Sequence, residues 1–192
     1  MAQYRITEID DYEALVGAEV VQRIRDKADK LKGLRVANFN STYYGGGVAE
    51  IISSLTLLMN GLGLRTEWRV IQGTPDFFSI TKKMHNALQG GEIDLSRIKK
   101  EIFEQVIYEN SVRNFLDHDF IIVHDPQPLP LIEHYEKKCP WLWRCHLDLS
   151  RPRQGNVEVS ATVDRQLRRC DSELPGVRSG DEAATTSDDA GD

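Results

Sequence analysis

Apolar residues recur at three- and four-residue steps between residues 6 and 32, at Tyr12, Leu15, Val16, Val20, Val21, Ile24 and Leu31, with charges between them. This period predicts one amphipathic helix, closed at Gly33. The pattern then shortens. Leu34 to Asn40 (LRVANFN) is a β-rich run, STYYGGG is turn-like, and VAEIISSLTLLMNGLG returns to a helical period. Thr66 to Gly73 (TEWRVIQG) alternates as a second strand, DFFSITKKMHNALQGG reads as a helix ended by Gly90 and Gly91, and Leu95 to Phe115 as a longer helix. Phe120 to Val123 is a continuous apolar strand cut off by His124, Asp125 and three prolines. Leu131 to Lys138 reads as a helix, and WLWRCHLDLS from Trp141 as the last strand.

This alternation predicts an α/β fold with a mostly parallel, three-layer sheet, because parallel neighbours need helical crossovers on their faces. Ligands of such sheets bind beyond the carboxyl ends of the strands. The expected division is a helical segment over 1–33, the sheet domain over 34–152 and a tail over 153–192. From residue 151 onward there is no Phe, Tyr, Trp, Ile, Met, His or Lys, so the tail reads as disordered.

Composition narrows the functional classes. With 40% hydrophobic and 28% charged residues among 192, the chain has the means to bury a core. A net charge of -6 argues against a mainly electrostatic partner such as nucleic acid or an anionic membrane. Three scattered cysteines without C-x-x-C spacing fit a reducing cytoplasm, and no apolar run is long enough to span a bilayer.

Four groups of residues carry candidate chemistry. Gly45, Gly46 and Gly47, between a strand and a helix, allow backbone N–H groups to approach an anion, although the spacing fits neither the dinucleotide fingerprint nor the Walker pattern; a tight packing turn explains them about equally well. Asp125 and Gln127, beside His124 at a strand end, offer the donors and acceptors that sugar hydroxyls need, while a helix cap by Asp125 and a supporting hydrogen bond from His124 are the plainer alternative. Strand alternation places Arg144, His146 and Asp148 on one face. Lys82, His85, Asn86 and Gln89 share a polar helix face that solvent alone would explain. No metal-ligating spacing such as H-E-x-x-H occurs, so no metal site is expected, and there is no G-x-S-x-G nucleophile.

The run from Asn38 to Glu50 (NFNSTYYGGGVAE), TEWRVI, HNALQG, HDPQP and WRCHLDLS, in this order, resembles the trehalose-forming glycosyltransferases over roughly residues 4–150. The resemblance implies a retaining, glycogen-synthase-like enzyme of two Rossmann-like domains, of which this chain carries the N-terminal, acceptor side, incomplete at residue 152. It implies UDP-glucose or ADP-glucose as donor, glucose as acceptor, α,α-trehalose as product and no tightly bound cofactor; a divalent metal is compatible but has no visible site. It makes His146 and Asp125 the catalytic candidates and sets Gly45, Gly46 and Gly47 against the donor diphosphate. Gln127, Arg144, Asp148, Lys82, His85, Asn86 and Gln89 become sugar contacts. The family pattern continues into a second, nucleotide-gripping domain absent from this sequence, and the composition from residue 153 suggests out-of-frame translation. The chain alone is therefore expected to be inactive, with the missing domain supplied as a separate chain, or else to serve as a sugar-binding module.

Overall fold

A computed structural model describes residues 7–44, 46–89 and 95–147. A 3-10 turn, Ile9–Tyr12, runs into α1 (Glu13–Val16) and α2 (Ala18–Asp29). Then follow β1 (Arg35–Asn40), α3 (Gly47–Gly61), β2 (Arg65–Val70), α4 (Pro75–Leu88), α5 (Arg97–Arg113), β3 (Phe120–His124), a 3-10 helix over Leu129–His134, and β4 (Trp141–Arg144).

The four strands form one parallel sheet in the order β2-β1-β3-β4. The expected three-layer α/β sheet is thus present, Rossmann-like in its alternation. Alternation along β1 separates the layers. Val36 packs with Ala28 of α2, Leu64 and Met59 of α3 on one face. Ala37 and Phe39 face Phe77 and Leu88 of α4, Val106 and Ile107 of α5, and Leu129 to Ile132 on the other. β1 has β2 on one side and β3 on the other, so the chain reverses its direction of travel across the sheet there. A crevice opens at such a point beyond the carboxyl ends of β1 and β3.

Local chemistry explains where the elements stop. The expected single helix over 6–32 is interrupted at Gly17, whose φ of +85° suits glycine alone, and the stripe before it stays out of the core: Leu15 is 80% exposed. The helix expected from Leu131 to Lys138 is instead the six-residue 3-10 helix, already extended at Tyr135. Pro128 and Pro130 supply no N–H there, which removes the donors an α-turn requires. β2 ends at Val70, three residues before the expected Gly73. Asn110 draws the chain away at that point: its Oδ1 accepts from Gln72 N–H at 2.8 Å and its Nδ2 donates to the Gln72 carbonyl at 2.7 Å. β4 ends at Arg144 rather than running on toward Ser150.

Candidate functional site

The carboxyl ends of β1, β3 and β4 are joined by a crosswise line of polar groups. Asn38 and Asn40 occupy the Val36 face of β1, and both are buried. Burying an amide without partners costs about 1–3 kcal/mol, so lateral partners matter here: both ends of the Asn40 amide find one, whereas Asn38 does so through Oδ1 alone and its Nδ2 is buried without a partner among the described residues. Asn40 Oδ1 accepts from Trp68 Nε1–H of β2 at 2.9 Å, and Asn40 Nδ2 donates to the Thr42 carbonyl at 2.8 Å, which shapes the loop leaving β1. Asn38 Oδ1 lies 3.0 Å from His124 Nε2, and His124 Nδ1 lies 3.0 Å from His146 Nε2. The two imidazoles lie edge to edge, their centres 5.3 Å apart and their planes within 17°, as a hydrogen bond between ring nitrogens requires.

Asp125 holds this arrangement in place. It adopts a left-handed φ of 63°, a region that non-glycine residues occupy only when their surroundings fix them. Its N–H donates to the Arg144 carbonyl at 2.9 Å, and its carbonyl accepts from Trp143 Nε1–H at 3.1 Å. Its Oδ1 accepts the backbone N–H of His146 at 2.7 Å. Three bonds thus latch the end of β3 to the end of β4. The His146 bond also takes the chain out of ladder geometry after Arg144. The strand alternation expected to align Arg144, His146 and Asp148 therefore does not apply: His146 lies beyond the strand, turned onto His124, while Arg144 is exposed. The cap expected from Asp125 is also absent, since Pro128 precedes the 3-10 helix and no side chain caps it.

Burial, reinforced by His146 and Arg144, pushes the His124 imidazole down to about 4. An unfolded chain takes up this proton near the ordinary value of about 6.5. Between those values the unfolded state binds more protons, so the contribution is whole above pH 6.5 and lost as the pH falls toward 4. We expect about 3 kcal/mol of stability to disappear across that window. Urea midpoints measured from pH 7.5 down to 4 check this, and the profile should flatten in His124→Gln.

The remaining candidates divide by position. Gly46 precedes α3 with φ of +85°, and a Cβ at Gly46 or Gly47 would meet nothing within 4 Å, so the N-terminus of α3 opens onto free space. Gly45 and Asp148 lie outside the described residues. Gln127 is half-buried, and its Oε1 is buried without a hydrogen-bond partner among the described residues. Lys82, Asn86 and Gln89 are exposed and His85 half-buried on α4, which packs against the Phe39 face of the sheet, opposite the Asn38 face. None of these four side chains forms a hydrogen bond or ion pair with the His124–His146 pair among the described residues. No group of three or more His, Cys, Asp or Glu among the described residues is placed to hold a metal ion.

The sequence reading does not single out Asn38, Asn40 and Trp68 as site builders, and it places His124 at the rim, with a supporting bond as the alternative, without its partner Asn38. The signal was present in LRVANFN: two asparagines at a spacing of two put a polar stripe on one face of a strand bordered by apolar residues.

Comparison with known proteins follows the same region. The chain matches the family described as trehalose synthase, N-terminal domain, over residues 38–176, a stretch that reaches into the segment set apart by its composition. It is 50% identical to a trehalose synthase of Pyrococcus horikoshii over 149 residues, 76% of this chain and 35% of that one. Against a trehalose synthase of Thermococcus litoralis it is 44% identical over 146 residues, 75% of this chain and 35% of the relative. A trehalose phosphorylase of Pleurotus pulmonarius is 29% identical over 178 residues, 84% of this chain and 24% of the relative. The chain spans about a third of the length of the synthases it matches.

Proposed function

Because this chain belongs to the trehalose synthase N-terminal domain family, we propose that it forms the acceptor side of a retaining glycosyltransferase that joins glucose from a nucleoside-diphosphate glucose to free glucose as α,α-trehalose. The observation that carries this reading is the rim at the switch point. There an imidazole held by two neighbours, a carboxylate latch and an orphaned amide oxygen at Gln127 converge beyond the strand ends. Such a mixture of fixed acceptors suits a hydroxyl-rich ligand.

In this proposal His146 contacts the reacting sugars, Asp125 fixes its backbone, and Gln127 Oε1 accepts a sugar hydroxyl. Gly46 and Gly47 leave room for the donor diphosphate at the positive end of α3, a role in which Gly45 is included by the sequence pattern alone. Arg144 adds positive charge at the rim, and Lys82, His85, Asn86, Gln89 and Asp148 contact the acceptor more peripherally. No protein nucleophile is required: the departing diphosphate deprotonates the attacking hydroxyl on the same face, while the protein orients both and stabilises developing charge. The donor-side domain corresponds to the remaining length of the synthases. With one wall only, orientation and charge stabilisation are lost together, so the sheet domain alone should transfer little or no glucose.

The phosphorylase relatives support a second reading, in which the open N-terminus of α3 faces inorganic phosphate and trehalose is cleaved. The higher identity to the synthases favours synthesis. To test both, the chain is joined to the C-terminal two-thirds of the Pyrococcus horikoshii synthase and supplied either with UDP- or ADP-glucose and glucose, or with trehalose and phosphate. Trehalose formed in the first mixture supports the proposal. Glucose 1-phosphate formed only in the second selects the phosphorylase. A folded fusion inert in both mixtures overturns the proposal.

A further inference from the structure

We propose that His124 is a positioning residue that dictates the tautomer of His146, so that His146 meets its sugar as a hydrogen-bond acceptor through Nδ1. The inference rests on the reading of His146 given above and goes further, to the direction of its hydrogen bond.

Asn38 is wholly buried and presents its carbonyl oxygen to His124 Nε2 at 3.0 Å. An oxygen there can only accept, so His124 Nε2 carries the proton. His124 is itself 1% exposed, and a neutral imidazole holds one proton only. Its Nδ1 is therefore a bare lone pair, 3.0 Å from His146 Nε2, which must donate to it. In the neutral form this fixes the single proton of His146 on Nε2 and leaves Nδ1 unprotonated. No group among the described residues bonds to that Nδ1, which leaves its lone pair for a ligand. The His146 backbone is held by Asp125 at 2.7 Å and the ring is kept nearly coplanar with His124 by the bond between them, so the lone pair has a fixed direction as well as a fixed identity. The depressed proton affinity of His124 keeps this chain of bonds in one state through neutral pH. A residue aimed this way recognises a hydroxyl that donates.

Long-range proton–nitrogen spectra of the full chain labelled with 15N at histidine separate protonated from bare ring nitrogens. The expected result is protons on Nε2 of both His124 and His146, with a scalar coupling between His124 Nδ1 and His146 Nε2 across the hydrogen bond. A His146 proton on Nδ1, or no coupling, overturns the proposal. In Asn38→Leu the acceptor that sets the sequence is gone, and the His146 Nε2–H signal should be lost in favour of a mixed population; an unchanged pattern in a folded variant also overturns it. Should that variant not fold, the wild-type spectrum decides. Activity of His146→Ala in the completed enzyme tests the functional reading separately. Undiminished transfer with the ring pattern intact would overturn the sugar-contact role and leave the tautomer assignment standing, and the reverse pair of results would do the opposite.

Discussion

Replacing His146 with alanine in the chain completed by its donor-side domain is expected to lower the turnover of trehalose formation by about 10²- to 10³-fold, the usual cost of losing one oriented hydrogen-bonding group from a reacting centre. The side chain leaves a gap at the rim, but the backbone N–H still reaches Asp125 Oδ1, so the fold should persist. Because the lost bond is proposed to matter most as the acceptor hydroxyl attacks, the effect should fall on kcat more than on KM for glucose. Initial rates at saturating donor, with a melting curve as control, check both parts. Asp125→Asn makes an instructive comparison. Asparagine tolerates a left-handed φ and retains an acceptor oxygen, so it should keep much more activity than Asp125→Ala, which loses the side-chain bond to the His146 N–H and keeps the strain.

The largest expected loss of stability lies far from that rim, at Asn110→Ala. Asn110 is 1% exposed in the last turn of α5, and its amide pairs with both backbone groups of Gln72 and donates to the Val106 carbonyl at 2.7 Å. It does for the β2–α4 connection what a neighbouring strand would do. Removal leaves the Gln72 N–H and carbonyl without their partner, at about 1–3 kcal/mol each, giving about 4 kcal/mol in all. The midpoint of thermal unfolding should fall by about 8–16 °C. A drop of only a degree or two would mean that water reaches Gln72 freely and that the bonds add little.

Both residues show what the sequence made legible and what it did not. The strands and long helices follow from apolar periodicity, and α3, α4 and α5 lie within two residues of their expected starts. The misreadings share a cause: periodicity reports which face is buried but says nothing of a bond from a distant residue. The stripe through residues 6–32 keeps its period across Gly17 although the backbone turns there. Near the last strand, alternation continues in the letters past Arg144 while Asp125 takes the His146 N–H out of the ladder. The site follows the same rule. Asp125, Gln127 and His146 are legible as polar residues where apolar strands end, whereas the partner of His124 is Asn38, 86 positions earlier, and only the parallel pairing of β1 with β3 brings them together.

Two of the three tryptophans, Trp68 and Trp143, spend their indole N–H on Asn40 and Asp125, the residues that shape the loops leaving β1 and β3. The rim therefore carries its own optical gauges, one on each side of the crevice. A sugar or diphosphate entering it would alter the polarity around both indoles, so its arrival should register as a change in emission colour without any attached dye, and independently of turnover.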